Sequence, residues 1–181
     1  MRISVTRRPL VPTTLPVSLD TALEHMRVSD QGALFEVQRF VLAAAREIED
    51  AAQIALLHQE ITVTVEDWSE GEWPMVPIGP ARTDLPAALI QLGTSYALDV
   101  AGWAGTRFLP RASFQLAPAP FALTYTAGFG TSDADVPEDL SLAVLDQALA
   151  YFDFRATGGG NPAGLSPHAA RIIGRYRGVR L

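Results

Sequence analysis

A chain of 181 residues, 48% of them hydrophobic, is long enough for one domain with room for a subdomain and apolar enough to bury a core. It has no cysteine and three histidines (His25, His58, His168), none at i, i+4 spacing with another, which excludes disulfides and thiolate metal sites and argues against a structural zinc. No apolar run approaches the ~20 residues of a membrane helix, and the opening M-R-I-S-V-T-R-R-P lacks the apolar stretch of a secretory signal, so a cytoplasmic protein is expected.

The formal net charge of −6 conceals an asymmetry. Residues 1–153 hold nine arginines and all twenty acids, a net of −11, whereas residues 154–181 hold five arginines and no acid. Every basic residue is arginine, the cation suited to bidentate pairing at interfaces. An acidic body does not supply the basic stripe with which nucleic-acid binders neutralise phosphates.

Pro9, Pro12 and Pro16 mark residues 1–17 as an extended N-terminal arm rather than a strand in a sheet. Ser18 is a suitable N-cap for a short helix at 18–27, with Asp20 in its first turn and Leu19, Leu23 and Met26 at helical spacing. Ser29 or Asp30 can cap a longer helix at 31–56, where Leu34, Val37, Val41, Ala44, Ile48, Ala51 and Ala55 step by three and four. The alanines crowding its second half allow another helix to approach closely. From residue 59 the period changes to two: Ile61, Val63 and Val65 alternate with Thr62, Thr64 and Glu66, as in a half-buried strand.

W-S-E-G-E-W reads as a polar turn, and P-M-V-P-I-G-P is too rich in proline for a central strand. Residues 85–100 fit either a helix or a strand and connecting loop. Extended pieces are expected near 106–109, 113–116 and 121–126, the last closing on Gly128 and Gly130, so that 59–127 forms a small antiparallel β region. Pro137, Glu138 and Asp139 then start a helix at 137–155. Its broad apolar face (Leu140, Val144, Leu145, Ala148, Tyr151) should dock on the long N-terminal helix. Gly158, Gly159 and Gly160 break it, and Ser166-Pro167 can open one more short helix through Ile172 and Ile173.

Motifs for catalysis are weak. The glycine run follows a helix and lacks the Lys-Ser/Thr of a phosphate loop, so it reads as a hinge. Ser166 and His168 have no orienting partner in the sequence. Glu49-Asp50, Asp67 with Glu70, and Glu138-Asp139 lie where helices and turns carry solvated charge, and Trp68, Trp73 and Trp103 suit a core or an interface. The C-terminal segment is more informative. Arg171, Arg175, Tyr176, Arg177 and Arg180, with Ile172, Ile173, Val179 and Leu181, combine guanidinium forks, an aromatic and aliphatic anchors, the residue types of interface hot spots. A disordered basic tail, an arm docking on an acidic partner, and a DNA contact all remain open on these residues.

The run T-Y-T-A-G-F-G at 124–130, followed by V-P-E-D-L-S-L-A-V-L and a helix closing at Y-F-D-F-R, resembles the head-tail connector (adaptor) proteins of long-tailed phages and gene transfer agents. P-V-S-L-D-T-A-L-E-H-M-R-V at 16–28, D-Q-G-A-L-F-E-V-Q-R-F-V-L-A-A-A-R-E-I-E at 30–49 and the W-P-M-V-P-I-G-P stretch follow the family order; residues 83–105 depart from it in being longer and more apolar. The resemblance implies an α+β fold, a small helical bundle with an inserted antiparallel β subdomain and an extended C-terminal tail. Residues 18–157 would form the connector domain and 158–181 a hinge and basic tail.

The resemblance further implies no enzymatic activity, with no catalytic residues, cofactor or metal. It implies a homo-oligomeric, twelvefold ring in the neck of a virion or phage-like particle, assembled in the bacterial cytoplasm. Such a ring joins the portal protein to a stopper or tail-side connector and lets DNA pass without specific binding. Portal contact is expected at Arg171, Ile172, Arg175, Tyr176, Arg177, Arg180 and Leu181. The alternatives are a DNA-binding packaging accessory, acting through the arginine tail, and a small-ligand enzyme, for which His58 or Asp67 would be the residues to test.

Overall fold

The computed structural model describes residues 2–66, 77–98, 100–104, 107–110, 120–156 and 164–177. The chain divides into two compact units, one of Met1–Pro12 and His58–Gly128, the other of Thr13–Leu57 and Phe129–Leu181. Among the described residues the first unit holds the strands and the second the helices, an α+β architecture.

Five strands form the main sheet: β1 (Ile3–Pro9), β2 (Gln59–Val65), β3 (Ala87–Gln91), β4 (Thr94–Leu98) and, after the two-stranded pair β5 (Val100–Ala104) and β6 (Arg107–Pro110), β7 (Phe121–Ala127). Their order is β1-β2-β7-β3-β4 and every neighbour is antiparallel. Period-two patterning puts one apolar face on the sheet. Val5, Val63, Leu123, Leu89 and Tyr96 stand opposite one another in a single row across all five strands. The opposite face carries small polar residues, with Thr62 and Thr124 hydroxyls 3.3 Å apart. Tyr125 secures the 77–82 segment: its phenol donates to the Ile78 carbonyl at 2.9 Å and accepts from the Ile78 N–H at 3.3 Å.

The prolines mislead at the N-terminus. Residues 3–9 form an edge strand, not a free arm, so the β unit takes a strand from each side of the first two helices and is not a simple insertion. The reason lies in the hydrogen-bond phase. Arg2 and Glu66 bond at one end (3.0 Å) and Leu10 and His58 at the other (3.0 Å), so even-numbered residues of β1 face β2 and Pro9 points its missing N–H away from the ladder. Arg8 grips Glu60 directly opposite (2.9 and 2.8 Å), which helps to fix the register.

Residues 85–100, open between helix and strand in sequence, contain a hairpin. Leu92 and Gly93 both have positive φ (51° and 78°), the two-residue turn whose twist suits adjacent antiparallel strands. Of the other extended pieces, 107–110 and 121–127 are strands, and 113–116 lies outside the described residues, as do Trp68, Trp73 and Gly158–Gly160.

The helical unit contains α1 (Leu19–Met26), α2 (Leu34–Ala52), α3 (Glu138–Ala156) and α4 (Pro167–Tyr176). Ser18 caps α1 as its position suggests, accepting from the Thr21 N–H at 3.1 Å. Asp30 accepts from the Gly32 N–H at 2.8 Å, and a single 3-10 turn at 31–33 leads into α2. That helix stops short of residue 56. Gln53 turns left-handed (φ 57°), and the Glu49 side chain accepts the Leu56 N–H at 2.8 Å, so Ile54, Ala55, Leu56 and Leu57 leave the helix and are all buried. Four successive apolar residues do not fit on one helix face, and once outside the helix all four are buried.

The A-G-F-G turn has a steric explanation. Gly128 takes φ 124°, a conformation side chains rarely adopt. At Gly130 an added Cβ would fall 2.2 Å from the Cβ of Asp135. The Asp135 carboxylate sits this close because it accepts from the Thr131 and Ser132 N–H groups and the Ser132 hydroxyl, all at 2.9 Å, closing the turn before α3.

Candidate functional site

Helix α4 carries most of the basic segment singled out in the sequence. Ser166 is its N-cap, accepting from the Ala169 N–H at 3.2 Å, and Pro167 begins its first turn. The Ser166 hydroxyl is thereby a capping group, not a nucleophile. Ala169, Ile172 and Ile173 recur at i, i+3 and i+4 and are buried where α4 packs on α3 and α2. Arg171 and Arg175 lie on the exposed side.

The C-terminal segment is thus folded onto its own helical bundle through residue 177, not extended. Ile172, expected at a partner interface, is 2% exposed and belongs to the core. Tyr176 is half-buried: its hydroxyl donates to Asp139 Oδ1 at 2.7 Å and its ring meets Phe129 edge to face at 6.4 Å. Arg177 donates from Nε to the Ala51 carbonyl at 2.7 Å, satisfying one of the unpaired carbonyls in the last turn of α2. Arg175 lies 4.0 Å from Asp139 Oδ2, with its side chain 61% exposed. Arg180 and Leu181 lie outside the described residues. The expected set therefore separates by role: Ile172, Tyr176 and Arg177 hold the helix, and Arg171 and Arg175 face out.

Residues that sequence reasoning missed complete the attachment. Gln147, on α3, is fully buried; its amide donates to Glu47 Oε2 at 2.8 Å and its carbonyl accepts the Ser166 N–H at 2.7 Å. Tyr151 also donates to Glu47 Oε2, so one carboxylate of α2 and one amide of α3 fix the start of α4. Next to Gln147, Asp146 bonds His168 of α4 through Oδ2 and stands 3.2 Å from His25 of α1 through Oδ1. One signal was available: Gln147 interrupts the apolar stripe Leu140, Val144, Ala148, and a polar residue on such a stripe needs buried partners.

Electrostatics tie Tyr176 to its position. Burial and the bond to Asp139 push its phenol up to about 12. A raised pKa means that the folded state favours the neutral phenol. This contribution is complete below the ordinary tyrosine value near ~10 and is lost as the pH climbs through 12. An ultraviolet titration of the wild type minus Tyr176→Phe should show one phenol ionising near 12; a difference curve centred near ~10 would show that Asp139 does not hold it.

Among the described residues, no group of His, Asp or Glu is arranged to hold a metal ion, and no helix is long and apolar enough to cross a membrane. What α4 presents outward is a braced helix surface with two arginines, Arg171 and Arg175.

No protein-family model and no curated protein matches the chain. Solved structures do. A chain in the neck of the native GTA (gene transfer agent) particle computed with C12 symmetry aligns at TM-score 0.74 and 24% identity, over 98% of this chain and 97% of that one. A chain in the neck of the empty particle computed with C6 symmetry aligns at TM-score 0.73 and 24% identity, with the same coverage of both chains. A chain of the native gene transfer agent virion aligns at TM-score 0.69 and 24% identity, over 100% of this chain and 97% of that one. From end to end, the chain has the fold of chains found in gene transfer agent particles, including their neck.

Proposed function

We propose that this chain is a structural head-tail connector: one subunit of a ring in the neck of a phage-like particle, between the portal and the stopper or tail, through which DNA passes. The observation that carries this reading is the likeness of fold over nearly all of both chains, particle-neck components on one side and this chain on the other. Its charge agrees. An acidic body repels phosphates and so favours a lining through which a duplex can slide. A role as a structural protein is supported by the likeness to particle components.

Arg171 and Arg175, held outward by a helix whose other side is anchored, make α4 the surface that would dock on acidic groups of the portal. Deleting 165–181 would remove Ile172 and Ile173 from the core, so charge reversal is the cleaner probe. The double variant Arg171→Glu, Arg175→Glu should lose co-sedimentation with portal while its thermal midpoint stays within a few degrees of wild type, as for most surface changes. Unchanged co-sedimentation would place the portal contact elsewhere. A DNA-binding accessory predicts instead that the same two substitutions abolish salt-sensitive duplex binding, read by filter binding over a salt series.

A further inference from the structure

Among the described residues no strand pairs with the outer edge of β1 or of β4, and these two edges are complementary. Counting reversals along β1-β2-β7-β3-β4, with each neighbour antiparallel, brings β4 back to the direction of β1. If a second copy continues the sheet in the same orientation, its β1 lies beside the first copy's β4, running the same way, with the apolar faces on the same side. The contact uses a different edge on each partner, the head-to-tail arrangement that a cyclic assembly requires.

Both edges present what such a junction needs. In β1 the hydrogen-bond phase set by Arg2–Glu66 and Leu10–His58 turns the N–H and C=O groups of Ile3 and Val5 outward. In β4 the two-residue turn makes Gln91 and Thr94 the closing bonded pair, which turns the backbone groups of Ser95 and Ala97 outward. The row of apolar side chains ends half-open at both margins: Ile3 is 39% exposed, Val5 38% and Tyr96 44%. Edge strands are normally guarded by charge, proline or a bulge. T-S-Y-A-L of β4 has none of these, and its residues 94–97 are exposed; β1 is guarded only at its far end, by Arg7, Arg8 and Pro9.

We propose that copies of this chain join edge to edge, the outer edge of β4 in one subunit pairing in parallel with the outer edge of β1 in the next. The proposal deepens the ring reading and rests on it: it names the surfaces that close the ring.

Proline substitutions test it at positions where neither touches the internal ladder. Val5→Pro removes an outward donor of β1, and Ala97→Pro removes one of β4. Val5→Lys and Tyr96→Lys serve as substitutes if a proline variant fails to give a wild-type circular dichroism spectrum. Sedimentation velocity on the concentrated full chain, alone and with portal, should show wild-type species larger than a dimer. Each single variant should remain monomeric. Mixed in equal amounts, the two variants should give dimers and nothing larger, since the mixture has one intact β4 edge and one intact β1 edge per pair. Amide exchange at Ile3, Val5, Ser95 and Ala97 should slow in the wild-type assembly.

Assemblies that persist in the double variant Val5→Pro, Ala97→Pro would overturn edge pairing and leave the ring reading intact. Dimers of Val5→Pro alone would mean two β4 edges paired about a two-fold axis, which also overturns it. A wild type that stays monomeric at every soluble concentration and with portal would remove both readings.

Discussion

Replacing Leu123 with alanine should lower stability by about 3–4 kcal/mol, within the range for large-to-small changes at fully buried sites. Leu123 is 2% exposed at the middle of β7, with Val63 on one side and Leu89 on the other in the row that runs from Val5 to Tyr96. Removing it deletes the central member of five and leaves a void bordered by strands whose positions are fixed on both sides by hydrogen bonds, so the site cannot collapse to fill it. The same truncation at Val5, where the row is half-open, should cost under about 1 kcal/mol, because water already reaches that side chain. Urea denaturation measures both values, and amide exchange shows whether the loss falls on the sheet. Equal costs at the two positions would mean that the row is not a packed core.

How much of this was legible in the sequence depends on the range of the interaction. Ile61, Val63 and Val65 alternate with threonine and glutamate, and the strand they predict is present because side-chain period alone decides which face is buried. The same holds for α2, whose apolar residues step by three and four; α1 and α3 were legible from their start signals, Ser18 for the first and Pro137, Glu138 and Asp139 for the second. The N-terminal strand was hidden because proline weighs against a strand only when its nitrogen faces a neighbour, and the phase of Pro9 is set by pairing with β2, on the far side of α1 and α2 in the chain. The hairpin at Leu92-Gly93 was obscured in the same way: A-A-L-I-Q-L suits a helix locally, and pairing of Leu89 with Leu123 selects the strand.

The candidate site was half visible. Ser166, Pro167, Ile172 and Ile173 announce a capped amphipathic helix, and two of the seven expected contact residues, Arg171 and Arg175, face outward. What the sequence could not supply is the receiving surface. Asp139, Asp146, Gln147 and the Ala51 carbonyl come from two other helices and meet residues 166–177 only in the folded bundle, with Glu47 bracing Gln147 from behind. A basic segment read by itself therefore looks detachable, whereas Ile172, Ile173 and Tyr176 are already engaged.

Gln147→Leu should cost about 2–4 kcal/mol and loosen α4 more than any other part of the helical unit. The substitution keeps the volume and the apolar stripe of α3, so a purely packing role predicts a neutral or even favourable effect. The hydrogen-bond account predicts the opposite. With the amide gone, the Ser166 N–H loses its acceptor and Glu47 Oε2 loses one donor, retaining the Tyr151 hydroxyl. Each group left unsatisfied costs about 1–3 kcal/mol, more where a carboxylate is involved, while the leucine contributes nothing that can replace them. Gln147→Glu separates the two terms further: it preserves an acceptor for Ser166 and sets a second carboxylate against Glu47, so it should be destabilising near neutral pH and recover in acid as that repulsion is relieved. Hydrogen exchange at Ala169–Ile173 and the urea midpoint report the outcome. If Gln147→Leu melts with the wild type and α4 exchanges no faster, the helix is held by Ile172 and Ile173 alone, and the buried amide is not what keeps the arginine face in place.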